Sequence, residues 1–480
     1  MLGYFRGNSV KTRIEHDLLG EREMTSDKLY GIQTLRGIEN FNISNFKLSQ
    51  YPLFINGLAY TKMAAAYANH NLGLLTDEQF KGICAACKDL LDGKYHDQFP
   101  IDMIQGGAGT STNMNANEVI ANLALIHTGH EPGEYQYCDS HDQINRSQST
   151  NDAYPTAIHL GLYASHLALL PHLEMLIKSF RKKSEEFASV IKMGRTQLQD
   201  AVPMTLGQTF NGFASILNDE IKHLNQAAED FLTVNMGATA VGTGICSEPG
   251  YAEATVKALA ELTGWDIKLS GDLVGATSDT SCMVGYMSAL KRVAVKLNKI
   301  CNDLRLLSSG PRCGLGEINL PARQPGSSIM PGKVNPVIPE VASQVAFKVI
   351  GNELCVTMAG EASQLELNAM EPVMAQCCFE SVDLLKNAFD TLRTLCVDGI
   401  TANEKACRDE VHNSIGIVTA LNPYIGYDHS TNIAKKALQT GESVSELVVK
   451  EGILTNEDLE TILDPKNMVK PVKLDIKPLK

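Results

Sequence analysis

The chain has little of what several protein classes require. Aromatic residues make up only 6% of its 480 residues, and Trp265 is the single tryptophan. Its core must therefore be filled by Ala, Leu, Ile, Val and Met, which suits packed helices. Positive charge is not in excess: 42 Lys and Arg stand against 55 Asp and Glu, a net charge of −13. A nucleic-acid partner needs a basic footprint, and an anionic membrane surface attracts basic segments, so neither is expected as a partner. An anionic small molecule is still admissible, provided its site is locally positive. No stretch approaches the ~18 consecutive apolar residues that a bilayer-spanning helix needs. The stretch "MLGYFRGNSVKTRIEHDLLG" lacks the continuous apolar centre of a signal peptide, and the expected location is cytoplasmic.

Signatures of nucleotide, metal and disulfide sites are missing too. No Lys follows a glycine-rich loop in the phosphate-loop pattern, no G-x-G-x-x-G follows a strand, and no H-E-x-x-H occurs. The 12 Cys, with Cys377 and Cys378 adjacent, are scattered through apolar runs. That pattern reads as free thiols in a reducing compartment. Cys84 and Cys87 form a C-x-x-C inside a helix pattern, without a second pair or a His cluster, and are expected to be packing residues. There is no internal repeat and no low-complexity tract.

What is present points to helices. Hydrophobic residues are 44% of the chain, enough for a large core across several domains. Apolar residues recur at helical spacing from Phe210 through Phe213, Leu217, Ile221, Leu224, Ala228 and Phe231. A second stripe runs Met283, Met287, Leu290, Leu297, Ile300, Leu304, Leu307. Other helical runs cover Thr156 to Val190, Val337 to Met358 and Pro372 to Cys396, with Pro171 expected to kink or bend the first. Helices this long and apolar commonly pack within a bundle and across subunits, which predicts an all-α central domain forming an oligomer core. Thr76 with Gln79, Ser443 with Glu446, and Thr455 with Asp458 mark helix starts. The tail "KPVKLDIKPLK" is polar and expected to fray.

Four short polar segments lie between these helices and are not explained by packing: "GGAGTSTNMNANE" (106–118), "SQSTND" (147–152), "GRTQLQDAVP" (194–203) and "GSSIMPGKVNP" (326–336). Ser, Thr and Asn also favour caps and turns. Collected in one cleft, however, Thr110, Ser111, Ser149, Thr150, Thr196, Asn113, Asn151 and Asn335 with Lys333 make an inventory for holding carboxylate oxygens. "AVGTG" (240–244) reads either as a tight turn or as part of such a site.

Together these segments resemble the fumarase/aspartase superfamily. "GSSIMPGKVNP" is similar to its signature loop, G-S-S-x-M-P-x-K-x-N. The likeness continues in order through "RIEHDLLGE", "YGIQTLRGIENF", all four polar segments and "LNPYIGYD", so it covers nearly the whole chain. Within the superfamily, "YQYCDSHDQINRSQSTNDAYPT", "MGRTQLQDAVPMTLGQ" and "KICNDLRLLSSGPR" resemble the ammonia-lyase branch that acts on aspartate.

The resemblance implies a mainly α, three-domain fold with a central long-helix bundle, here divided as 1–148, 149–400 and 401–480. It implies a homotetramer whose active sites are shared between subunits. It implies reversible anti-elimination of ammonia from L-aspartate to give fumarate. Ser327 would remove the Cβ proton. Thr110, Ser149, Thr150 and Thr196 would hold the adjacent carboxylate, with Asn151 and Gln197 in support, and Lys333 and Asn335 would hold the other. No cofactor is required for this chemistry. Some members are activated by magnesium at a separate site, for which no ligands stand out here.

Elementary chemistry makes the assignment reasonable. Removing the Cβ proton creates an aci-carboxylate with a second negative charge, which aimed hydroxyls can stabilise. An alcohol base needs its alkoxide stabilised, which backbone N–H groups of a Gly-Ser-Ser loop and Lys333 could supply. The loop is expected to order on substrate binding. Fumarases typically carry His at the position of Gln197, paired with an acid at the position of Glu340. Hydroxide needs a proton donor to leave, whereas an ammonium group leaves as neutral ammonia, so Gln197 favours C–N cleavage. Fumarate hydratase is the nearest alternative. Lyases of argininosuccinate or adenylosuccinate, and a structural lens-type role, rank lower because "GRTQLQDA", Ser327, Lys333 and Asn335 are intact. Arg36 either serves the cleft or makes a structural ion pair, and His16, His412 and His429 lie in family-like segments.

Overall fold

The computed structural model describes residues 11–479, so the first ten residues of the stretch read for a leader lie outside the described residues. Strands β1 (Thr12–Asp17) and β2 (Gly20–Thr25) precede helices α1 (Ile32–Asn40), α2 (Pro52–Asn71), α3 (Asp77–Leu91), α4 (Thr110–His127) and α5 (Thr150–Glu186). Next come β3 (Ile191–Thr196), β4 (Gln199–Thr205), α6 (Leu206–Glu229), β5 (Thr233–Val234), α7 (Tyr251–Thr263), β6 (Lys268–Leu269), α8 (Leu273–Ser278) and α9 (Ser281–Leu307). Then follow β7 (Ile318–Asn319), α10 (Val337–Glu361), α11 (Glu371–Leu395), β8 (Thr401–Ala402), α12 (Glu404–Asn413), α13 (Val418–Ile425), α14 (Tyr427–Thr440), α15 (Val444–Lys450) and α16 (Asn456–Ile462). The fold is mainly α, and its sheets are two-stranded.

The long apolar stripes are buried faces, as their period requires. Phe210, Phe213, Leu217 and Leu224 are buried on α6, and Met283, Met287, Leu290, Leu297, Ile300 and Leu304 on α9. Helix α5 runs unbroken through Pro171. Pro171 and Leu167 are both exposed, so the carbonyl that loses its proline partner sits on a solvated part of the helix. Among the described residues, α5 is long and apolar enough by length and composition to cross a membrane, but half of its apolar window is buried inside the protein, as in a core helix.

The chain forms two compact units. The first comprises the described residues up to Leu170, Ile221–Arg292 and Phe347–Leu385. Its core joins Ala64, Ala65 and Ala68 of α2 to Leu160 of α5 and to Tyr251 and Leu259 of α7. Helices α2 and α5 cross at Gly57, where a Cβ would lie 2.2 Å from the Ala157 carbonyl oxygen. Helix α1 has no cap of its own. Glu118 of α4 accepts hydrogen bonds from the Gly31 and Gln33 N–H groups, and Glu15 of β1 accepts one from Ile32 N–H. These satisfy donors that every helix start leaves open. Arg36 makes a two-pronged pair with Asp17 at 2.7 and 2.8 Å, the structural reading of that residue. Thr76 and Gln79 form the expected capping box on α3. Cys84 and Cys87 lie within α3, and burial pushes the Cys84 thiol up to about 12 and Cys87 well above its ordinary value.

The second unit comprises Pro171–Glu220, Val293–Ala346 and the chain from Lys386 onward. Val411, Ile417, Leu421, Ile433, Leu447 and Val448 pack there around Met193 of β3. Ser443 caps α15 and Thr455 caps α16, as expected. The tail does not simply fray: Leu474 and Ile476 pack on this cluster, and Leu479 N–H donates to the Ile453 carbonyl at 2.9 Å. Two alternating apolar residues suffice to dock a segment that is polar in bulk composition.

Candidate active site

In the first unit, the initial polar segment is not a loop throughout. Gly107, Ala108 and Gly109 all have left-handed φ (86°, 52° and 86°), and α4 begins directly after them. The turn packs so closely on α5 that a Cβ on Gly109 would lie 2.4 Å from the Tyr154 ring. Thr110 therefore opens α4, exposed, its hydroxyl bonded to the Gly107 carbonyl at 2.8 Å. Ser149 precedes α5 as its cap. Its Oγ accepts from Asn151 N–H at 3.2 Å, and its N–H meets Asp152 at 2.9 Å. Thr150 is the first residue of α5, and its Oγ1 accepts from Asn113 Nδ2 of α4 at 3.3 Å. The starts of α4 and α5 are thus joined side chain to side chain. The dipoles of the two helix N-termini favour negative charge there, although the N–H groups of Thr112, Asn113, Asn151 and Asp152 already have partners within the chain.

Asn151 donates from Nδ2 to the Ala240 carbonyl at 2.8 Å, and Asn235 returns a bond to the Asn151 carbonyl at 3.0 Å. "AVGTG" is thereby tied to the start of α5. Asp152 is fully buried below it and accepts from the Gly237 and Thr239 N–H groups. Burial raises its carboxyl to about 6, against those backbone donors. Sequence reasoning missed Lys62 of α2, which is buried and donates to Asn113 Oδ1, Gln148 Oε1 and Asn145 Oδ1. The signal was a lone cation in an alanine-rich apolar run.

In the second unit, "GRTQLQDAVP" is the tip of the β3–β4 hairpin, with Thr196 paired to Gln199. Gln197 and Leu198 form its turn with φ of 54° and 62°, the left-handed pair that a two-residue hairpin loop demands. Thr196 and Gln197 are exposed there. At the base of the tip, Arg195 pairs with Glu317 and with Glu410, and Lys192 lies 3.0 Å from Glu317.

The Ser327 segment is a loop closed on itself. Gly326 N–H donates to the Lys333 carbonyl at 2.7 Å, and Asn335 Nδ2 donates to the Gly326 carbonyl at 2.7 Å. Ser327 Oγ accepts two backbone bonds, from Met330 N–H at 3.0 Å and Ile329 N–H at 3.2 Å. The Lys333 side chain is exposed, Glu340 sits in the first turn of α10, and His16, His412 and His429 are exposed. Thr110, Ser149, Thr150 and Asn151 thus belong to one unit, and Thr196, Gln197, Ser327, Lys333 and Asn335 to the other. A cavity of about 600 Å³ in the second unit, beside Ile191, Arg408 and His412, contains none of them. Among the described residues no three His, Cys, Asp or Glu side chains are arranged to hold a metal ion.

Residues 20–351 match the family model described as Lyase, and residues 417–470 the one described as Fumarase C C-terminus. The chain is 57% identical to the aspartate ammonia-lyase of Pseudomonas aeruginosa, over 96% of this chain and 98% of that protein. It is 53% identical to the aspartate ammonia-lyase of Escherichia coli, over 96% and 97%. Among solved structures, the fumarate lyase:delta crystallin from Brucella melitensis bound to cobalt superposes with a TM-score of 0.93 at 51% identity, covering 96% of this chain and all of that one. A class II fumarase from Schistosoma mansoni gives 0.90 at 32% identity, with coverage of 96% and 100%. The chain belongs to the fumarase/aspartase superfamily, in its aspartate ammonia-lyase family, and is a carbon–nitrogen lyase.

Proposed function

We propose that this protein eliminates ammonia from L-aspartate to give fumarate, with Ser327 as the base. The observation that carries the reading is the pair of helix starts at Thr110 and Thr150, joined through Asn113, whose dipoles favour an anion in a chain of net charge −13. The Ser327 oxygen takes the Cβ proton. The electron pair delocalises into the neighbouring carboxylate, giving an aci-carboxylate dianion that Thr110, Ser149, Thr150 and Thr196 stabilise. Collapse of that pair forms the C=C bond and expels the ammonium group as ammonia. An oxyanion donor contributes about 3–4 kcal/mol, and several acting together do not add simply. The backbone N–H groups of Ile329 and Met330 at Ser327 Oγ support the alkoxide this mechanism needs. Lys333 and Asn335 hold the distal carboxylate, Asn335 while also pinning the loop.

Gln197 supports C–N over C–O cleavage, because an amide cannot deliver the proton that hydroxide would need. No step is routed through a metal. The protein works as a cytoplasmic homotetramer with sites completed by neighbouring subunits. Support for assembly comes from α10, where Phe347, Leu354 and Met358 expose more than half their surface along one stripe.

The test follows fumarate by ultraviolet absorbance from L-aspartate and, in parallel, from L-malate. Fumarate from aspartate alone, abolished by Ser327→Ala with the melting temperature unchanged, is the expected result. Fumarate from malate alone would replace this reading by a hydratase.

A further inference from the structure

Lys62 is 1% exposed, and its Nζ has three side-chain acceptors: Asn113 Oδ1 at 2.7 Å, Gln148 Oε1 at 2.8 Å and Asn145 Oδ1 at 3.3 Å. All three are amide oxygens. They match the three N–H bonds of an ammonium group, whereas a neutral amine would turn its lone pair on one of them. The titratable groups facing it are Asp152 from α5 and Cys87 from α3. Burial pushes the Lys62 ammonium down to about 7, and Asp152 draws it back up.

The bond to Lys62 fixes the orientation of the Asn113 amide. With Oδ1 committed to the ammonium, Nδ2 must face the other way, and it meets Thr150 Oγ1 at 3.3 Å and Asn145 Oδ1 at 3.1 Å. Thr150 Oγ1 is then an acceptor on its inner side. Its single proton then remains free for another acceptor, such as a ligand oxygen. A hydroxyl without such a partner could equally turn its lone pairs on the ligand.

We propose that Lys62 is a positioning residue of the carboxylate subsite, holding the Thr150 hydroxyl as a donor through the Asn113 amide. The proposal rests on the elimination reading above. It gives the acidic chain a buried positive charge behind the hydroxyls, where the dianion needs it. Chains of such bonds polarise one another, so the contribution grows as charge develops on the substrate.

A double-mutant cycle on the full-length assembled enzyme tests it. Asn113→Asp keeps the acceptor for Lys62 and the side-chain shape, but removes the N–H that meets Thr150. Lys62→Met removes the ammonium at similar length. Each is expected to lower kcat at least about tenfold with KM within about threefold, the pattern of an interaction made in the transition state. In a Thr150→Val background, Asn113→Asp should add less than about twofold, because the path through Thr150 is already cut. Full multiplication of the two losses, or an unchanged kcat for Asn113→Asp, overturns the relay. Should Lys62→Met fail to assemble, the Asn113 and Thr150 variants decide alone. A wild-type enzyme silent on aspartate overturns the elimination reading and the relay with it. An active wild type with multiplied losses overturns the relay only.

Discussion

The Lys192 ammonium lies 3.0 Å from the Glu317 carboxylate, which is wholly buried. Arg195, three residues along the same strand, pairs with the other Glu317 oxygen and, at 2.8 Å, with Glu410 of α12. Glu317 also accepts Asn403 N–H on its backbone carbonyl at 2.8 Å. One carboxylate therefore ties the hairpin that carries Thr196 to the segment that leads through β7 toward Ser327.

Glu317→Gln should be severe. It leaves Lys192, which is 5% exposed, without its buried counter-charge. Removing one partner of a buried ion pair costs about 3–5 kcal/mol. Urea unfolding should show that loss, and residual activity should fall because Thr196 and the Ser327 segment lose a common anchor. A variant as stable as the parent would mean the pair is solvated and the clamp is not needed.

The hairpin tip makes an opposite prediction. Leu198 holds a φ of 62° and is 71% exposed, so it has strain without compensating burial. A left-handed conformation costs a side-chain-bearing residue about 1–2 kcal/mol, part of which glycine gives back through its freer unfolded chain. Leu198→Gly should raise the unfolding free energy by about 0.5–1 kcal/mol, seen as a higher denaturation midpoint. A lower midpoint would show that Leu198 is held by contacts outside its own chain.

These two sites also show what the sequence makes legible. The stripes on α6 and α9 and the caps at Thr76, Ser443 and Thr455 could be read directly, because each rests on spacing within a few residues. The Ser327 segment stood out by composition, and its two backbone donors follow from a tight serine turn. The β3–β4 hairpin was not legible, because Gln197–Leu198 lacks the Asn-Gly signal that announces such a turn. Lys62 and Glu317 were missed for a different reason. Their partners stand 51 and 122 residues away, so only the folded chain pairs them. The first polar segment continues into α4, where Asn115 donates to the Gln98 carbonyl, Asn117 donates to Asn145 and Asn113 accepts from Lys62, partners that its composition does not announce.

Assembly can be tested on α10. Leu354 is 59% exposed between Phe347 and Met358 on one face. Leu354→Glu places a charge where an apolar partner is proposed, and burying an unpaired charge costs several kcal/mol. Light scattering should show a lower molar mass than the parent, and activity should fall with it if neighbouring subunits complete each site. An unchanged molar mass would place the interface on another face.

Glu371, the first residue of α11, yields a pH signature. It is 3% exposed, and its Oε2 has no hydrogen-bond partner among the described residues. Burial pushes its carboxyl from an ordinary value of 4.5 to about 8. Between those two values the folded chain holds a proton that the unfolded chain has released. More protons bound in the folded state means that stability falls as pH rises through this window. Glu371→Gln presents a neutral side chain of the same shape at every pH and removes that slope. At pH near 5 the two proteins should differ by less than ~1 kcal/mol, while at pH near 8 the variant should be the more stable by about 1–3 kcal/mol. Thermal melts at both pH values decide it. An offset that does not change with pH would mean the folded carboxyl titrates where the unfolded one does, and Glu371 would then have a charged partner in the assembled protein.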